Sequence, residues 1–170
     1  METIATIVLF PGCLYFDVAP TVAVLAQFGK VLIAGPSREP VTDACGLTIV
    51  PSITYAEVTA INSRFIVIPG GDTSTLSGNP AFMDIVRHAT NNDCWLSSIG
   101  AGVDSLRQFG LSGNIPPSEN VLIANNFVAA QSWANIEFAM TLGILGGYLS
   151  PEAAARQTDD YFGRPSRFSN

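Results

Sequence analysis

Short runs of β-branched and apolar residues recur along this chain, and each is cut off by a glycine or proline turn. Thr3–Phe10 ends at Pro11-Gly12, Lys30–Ala34 at Gly35-Pro36, Phe65–Ile68 at Pro69-Gly70-Gly71, and Trp95–Ile99 at Gly100. Runs this short and this apolar fit strands buried on both faces, and helices that cross over between parallel strands are what cover both faces. The segments between the runs carry helical periodicity. The chain therefore reads as βα units feeding a mostly parallel central sheet in a three-layer α/β sandwich.

The pattern places the remaining elements as follows. Val18–Phe28 is the first helix, with Asp17 available as its N-cap. Val41–Val50 holds a short antiparallel excursion around Gly46, and Thr73–Leu76 a short helix. Asn79-Pro80 opens a further helix, with Pro80 at its first position, and Asn91-Asn92 closes it. Ala101–Phe109 is a helix stopped by Gly110, and Val121–Ala124 pairs with Phe127–Ala130 across the two-residue turn Asn125-Asn126. From Ala134 to Tyr148, residues Ile136, Ala139, Met140, Gly143 and Ile144 share one helical face, whose small members allow close packing on the sheet. Pro151–Tyr161 is a last helix with Ser150 as its N-cap.

A chain of 170 residues fits one domain, expected over 1–163, with 164–170 as a loose tail. Hydrophobic residues make up 48% and charged residues 13%, the balance of a folded chain with a sizeable core. The longest apolar runs, Ile4–Phe10 and Phe65–Pro69, are too short to span a bilayer, and no basic-then-apolar leader precedes them, so a soluble cytoplasmic protein is expected. A net charge of -6 argues against nucleic acid or an anionic membrane as partner, since both need clustered Lys and Arg. Cys13, Cys45 and Cys94 form no CxxC pair and His88 is the single histidine, which argues against a disulfide framework and a structural metal. No cofactor is expected.

The segment Leu96-Ser97-Ser98-Ile99-Gly100-Ala101-Gly102-Val103 carries the most chemical information. It reads as a buried strand running through a sharp turn into a helix, the elbow at which many enzymes hold a nucleophile on strained backbone. Here the bend carries Gly100, which adopts such a conformation freely and projects no side chain. An ordinary strand-to-helix loop is the alternative for this segment alone.

Taken together and in order, the motifs resemble the ThiJ/PfpI superfamily, most closely its isocyanide-hydratase-like branch, over nearly the whole chain. Phe10-Pro11-Gly12 with Phe16-Asp17-Val18-Ala19-Pro20 is similar to the branch's first-strand and acidic-residue motif. Ile66-Val67-Ile68-Pro69-Gly70-Gly71 is similar to its central turn, and Ser98-Ile99-Gly100-Ala101-Gly102 with Leu106, Gly110 and Leu111 to its nucleophile elbow. Val128-Ala129-Ala130-Gln131-Ser132 with Glu137-Phe138-Ala139 resembles the junction that closes the family core. The resemblance implies a flavodoxin-like fold and a homodimer. It also implies that Gly100 stands where relatives carry a reactive cysteine, and that 113–120 is short where they insert a strand and helix that often supply a histidine.

By the same resemblance, Asp17 matches the acidic residue that hydrogen-bonds the family thiol, while N-capping is its structural alternative. The amides of Gly71 and Ala101 match the oxyanion-hole positions, with ordinary turn geometry as theirs. Even without a cysteine, such amides can hold a carboxylate or a carbonyl. Cys13, in the first β-to-α loop, is the best alternative thiol, although a free cysteine is usually an inert buried hydrophobe. Ser98 belongs to the strand and points into packing, and Cys45 and Cys94 read as structural. Gln131, Ser132 and Trp133 begin the helix after the last strand and line the pocket, with core packing the alternative for Trp133.

Two functions follow. The first is a domain without the family nucleophile, non-catalytic, with a small-ligand pocket around Asp17, Gly71, Gly100 and Ala101, or a role in dimerisation. The second is an isocyanide-hydratase- or amidase-type enzyme acting through another group or represented by a Cys-to-Gly variant. A ligand sensor of a transcription regulator is disfavoured, because no helix-turn-helix pattern follows Gly163.

Overall fold

The computed structural model of the chain describes residues 2–111 and 114–162; the expected tail 164–170 and Gly113 lie outside them. Strand β1 (Thr3–Val8) leads through a 3₁₀ turn at Tyr15–Asp17 to helix α1 (Ala19–Leu25) and strand β2 (Lys30–Gly35). A two-stranded hairpin, β3 (Val41–Thr42) with β4 (Thr48–Ile49), precedes β5 (Ile53–Thr54) and α2 (Tyr55–Val58). Then come β6 (Phe65–Ile68), α3 (Pro80–Asn91), β7 (Trp95–Ile99) and α4 (Gly102–Ser105). The antiparallel pair β8 (Val121–Ala124) and β9 (Phe127–Ala130), α5 (Asn135–Leu145) and α6 (Pro151–Phe162) complete the order.

The seven-stranded sheet runs β5-β2-β1-β6-β7-β9-β8, parallel except for β8 at one edge. From β1 the chain steps outward to β2, then returns to the other side of β1 with β6 and continues to β7 and β9. Right-handed crossovers that reverse direction in this way place their helices on opposite faces. α1 packs on α5 and α5 on α6 in one layer, while α2 packs on α3 in another. The mostly parallel α/β sandwich expected from the sequence is the fold observed. Ligands bind such sheets at the carboxyl ends of the strands where the winding reverses, here between β1 and β6.

The central strands are apolar because both of their faces are covered. All of β6 is buried, and Ile7, Val8, Val67, Ile99 and Val128 have no accessible surface. Inside the core, Thr6 and Ser63 share a hydrogen bond of 2.7 Å, which satisfies two hydroxyls that would otherwise be costly to bury. Tyr55, 2% exposed, donates its hydroxyl to the Leu9 carbonyl just beyond β1. No helix among the described residues is long and apolar enough to cross a membrane.

Several local expectations are corrected. α1 starts at Ala19 rather than Val18, with Pro20 in its first turn, where no acceptor is needed for an N–H. Its N-cap is Val18, without a side-chain bond, so Asp17 does not cap it. β5 and α2 had no signal as separate elements; Glu57 closes a capping box on Thr54 at that junction. The helix expected over Ala101–Phe109 breaks into α4 and a 3₁₀ turn at Arg107–Phe109, ended by left-handed Gly110. On α5 the buried face centres on Phe138, Ala139 and Leu142, and Ile144 is 37% exposed. Ala139, Met140 and Gly143 of the expected face are buried, and Gly143 makes room for Leu149 and Val24 rather than for the sheet. Ser150 does cap α6, accepting the Ala153 amide at 3.2 Å.

Candidate functional site

Four connections meet at the carboxyl ends of β1, β6, β7 and β9. Pro69 ends β6 because it cannot donate to the ladder, and Gly70-Gly71 turn the chain back towards the β1 loop. There Cys13 and Gly71 form an isolated antiparallel bridge, flanked by Leu14 N–H to the Gly70 carbonyl at 2.8 Å and Asp72 N–H to the Gly12 carbonyl at 3.0 Å. Bonds on the flanking residues mark a non-hydrogen-bonded pair, so the Gly71 N–H points away from Cys13. Gly71 has φ +112, and a Cβ there would run into the Gly12 carbonyl and the Cys13 backbone; the position demands glycine.

At the end of β7, Gly100 has φ +57, the left-handed conformation expected of the elbow. Its N–H donates to the Ala130 carbonyl at 2.9 Å, which ties the bend to β9, and Val103 N–H returns to the Gly100 carbonyl at 3.1 Å. A Cβ placed on Gly100 would lie 3.3 Å from the Ser132 Cβ and 3.5 Å from Asp17 Oδ2. Asp17 is thus at the same edge as Gly100 and faces the space above it. The 3₁₀ turn at Tyr15–Asp17 delivers the carboxylate there, and Asp17 Oδ2 accepts the Gly70 N–H at 3.1 Å. Burial, with 4% of Asp17 exposed, pushes its carboxyl above the usual range, and the Gly70 bond offsets part of that rise.

A cleft of about 510 Å³ opens over the elbow, lined by Gly100, Ala101, Asp104, Arg107, Gln131 and Ser132 among others. Gln131 and Ser132 line it as expected, but from the turn before α5 rather than from the helix, which starts only at Asn135. Trp133 is not in the core: it is 70% exposed and its indole N–H donates to Asn120 at 3.2 Å. Ser98 does point into packing, donating to the Ile68 carbonyl at 3.1 Å. Asp104 and Arg107 went unnoticed in the sequence; their ion pair at 3.0 Å spans three residues, a spacing that signals neighbours on one helical face. Asn114 and Ile115 also line the cleft and come from a segment with no periodicity to read.

Cys13 does not line this cleft. It is fully buried beneath the Gly71 bridge, and burial raises its thiol, with Asp43 and Asp17 adding to the rise. Cys94 is 4% exposed and its thiol is pushed up to about 12 by burial. Cys45, expected to be structural, is exposed on the hairpin turn.

The model of the DJ-1/PfpI family matches residues 4–114 of the chain. No curated protein matches it. Among solved structures, the thiJ/pfpI family protein from Bacillus anthracis superposes with a TM-score of 0.82 at 20% identity, over 97% of this chain and 93% of that one. DJ-1beta from Drosophila melanogaster gives 0.80 at 20% identity, over 95% and 98%. A DJ-1 superfamily protein from Agrobacterium tumefaciens gives 0.76 at 20% identity, over 96% and 100%. At these identities the structural likeness establishes the fold.

Proposed function

The chain belongs to the DJ-1/PfpI family, and from that premise we propose that Gly100 occupies the nucleophile position, leaving a non-catalytic small-ligand pocket. One observation carries this reading. The Cβ position of Gly100 lies 3.5 Å from buried Asp17 and opens into the cleft, so the surroundings of a nucleophile are kept where no side chain projects. Covalent catalysis needs an attacking atom that glycine lacks, and a neighbouring hydrogen-bond donor does not replace it. Cys13, the best alternative thiol, is buried and disinclined to ionise.

The test is turnover. The protein is expected to show no thiol-dependent glyoxalase, isocyanide-hydratase or amidase activity above buffer. Turnover that disappears on Cys13→Ala makes Cys13 the nucleophile and overturns the reading.

A second reading, an isocyanide-hydratase- or amidase-like enzyme represented by a Cys-to-Gly variant, is favoured by one detail. The space over Gly100 accepts a Cβ at 3.3 to 3.5 Å from its neighbours, so a larger residue fits with small adjustments. Activity in Gly100→Cys separates the two. The homodimer implied by the family is also proposed, supported by Phe16, 69% exposed beside an apolar groove lined by Pro20, Ala23, Ile136 and Met140. Sedimentation velocity of the protein and of Phe16→Glu tests it, a monomer for the unaltered chain being the contrary result.

A further inference from the structure

We propose that the space above the Gly100 Cα, between Asp17 and Ser132, seats the carboxylate of a small organic acid that the cleft takes as its ligand. This rests on reading Gly100 as a position without a nucleophile. The floor of the seat is narrow, because a Cβ there would already be in contact with Asp17 Oδ2 and Ser132 Cβ. A ligand reaching it must end in a compact group.

The polarity of the walls selects the group. Ala101, next to Gly100, lines the cleft, and its N–H meets no acceptor among the described residues. Ser132 and Gln131 present a hydroxyl and a carboxamide, and Arg107 stands further along the cleft with its charge shared with Asp104. Asp17 is the buried polar group of the seat. Its Oδ2 takes the Gly70 N–H, and its Oδ1 takes no hydrogen bond from the described residues. Protonated, Asp17 becomes a further donor, and an acid facing a carboxylate makes a short charge-assisted O–H···O bond. A set of donors closing on a compact space fits an anionic acceptor with two oxygens.

Ionised, Asp17 would repel the same ligand, so binding takes up a proton. The other titratable groups around it do not supply one. Cys13 lies beside it in the β1–α1 loop with its thiol raised by burial, and Asp43 behind Cys13 accepts the Cys45 and Leu47 amides at 2.8 Å each. Tyr15, in the same turn, is raised by burial, and across the cleft Asp104 and Arg107 neutralise one another.

The experiment is an amide-resolved NMR titration of the whole chain with sodium butyrate, butyramide and 1-butanol, repeated across pH. Butyrate is expected to saturate one site, moving the amides of Gly100, Ala101 and Ser132, with butyramide weaker and butanol silent. Above the Asp17 pKa the butyrate affinity should fall about tenfold per pH unit. Asp17→Asn, which keeps a donor but cannot ionise, should remove that slope. Gly100→Ala fills the floor of the seat and should weaken butyrate at least about tenfold, a factor worth ~1.4 kcal/mol. If that variant does not fold, the Asp17→Asn slope decides alone.

Butyramide binding as well as butyrate, an unchanged pH slope in Asp17→Asn, or shifts confined to the surface around Arg107 would overturn the assignment. The two readings fail differently. No binding together with a fast-reacting thiol in Gly100→Cys removes the carboxylate assignment and leaves the reading of Gly100 standing; a nucleophilic Cys13 in the unaltered protein removes the latter.

Discussion

Asp17 Oδ2 lies 3.5 Å from the point a Cβ on Gly100 would occupy, although the two residues come from different βα connections. Because burial raises the Asp17 carboxyl, folding favours its protonated form. Its contribution to stability is therefore fully present below the unfolded pKa of about 3.9 and is lost as pH rises through the folded pKa. At neutral pH the buried carboxylate destabilises the fold. Asp17→Asn keeps an acceptor for the Gly70 N–H and is expected to raise the Tm at pH 7, with the gain shrinking towards pH 4. Equal Tm values at pH 7 would show that the carboxylate is solvated well enough to carry no penalty.

Gly100→Cys should yield a thiol that alkylates near neutral pH faster than any of the native cysteines. A cysteine there would stand beside Asp17, whose proton affinity burial raises, so that the thiol's proton can pass to the carboxylate, and it would open into the cleft. A side chain at φ +57 costs about 1–2 kcal/mol, so stability and reactivity are measured on the same sample. A folded variant whose thiol reacts no faster than an unfolded-peptide thiol would show that this setting does not favour a thiolate.

The native cysteines should react in the order of their exposure. Cys45 sits on an exposed turn, whereas Cys13 and Cys94 are buried with raised thiols. Peptide mapping after brief alkylation should find Cys45 modified and the other two protected until denaturant is added. Early labelling of Cys13 would mean that the bridge to Gly71 opens readily.

What the sequence revealed and what it hid have separate physical causes. β6, β7 and the β8–β9 hairpin begin and end at the residues the sequence pattern picks out, because each is a dense apolar run bounded by strong breakers. The turn at Asn125-Asn126 was legible for the same reason, and Asn125 takes the positive φ of 50° that asparagine tolerates. Asp17 was ambiguous because a carboxylate just before a helix has the same local signature whether it caps that helix or reaches another strand. Only the β1–β6 pairing brings Gly70 to it. Arg107 and Asp104 show the three-residue spacing of a helical ion pair, but nothing local tells that they border the cleft. The buried face of α5 keeps Ala139, Met140 and Gly143 while turning towards Phe138 and Leu142, which leaves Ile144 exposed.

Tyr55 offers a last test, because α2 had no signal in the sequence yet braces the loop that carries Asp17. Its hydroxyl donates to the Leu9 carbonyl, while Leu9 N–H binds the Ala34 carbonyl at 2.8 Å, so both polar groups of Leu9 are held where β1 ends. Tyr55→Phe keeps the ring in its buried place and removes only the donor, leaving a carbonyl in the core without that partner. Such a deletion costs about 1–3 kcal/mol, and urea unfolding should show it as a lower midpoint with an unchanged slope. Hydrogen exchange at the Cys13 and Leu14 amides should quicken as well, since both bonds fix the loop that Leu9 anchors. An unchanged midpoint would mean that water replaces the hydroxyl, and that the loop is held by the Cys13–Gly71 bridge without help from α2.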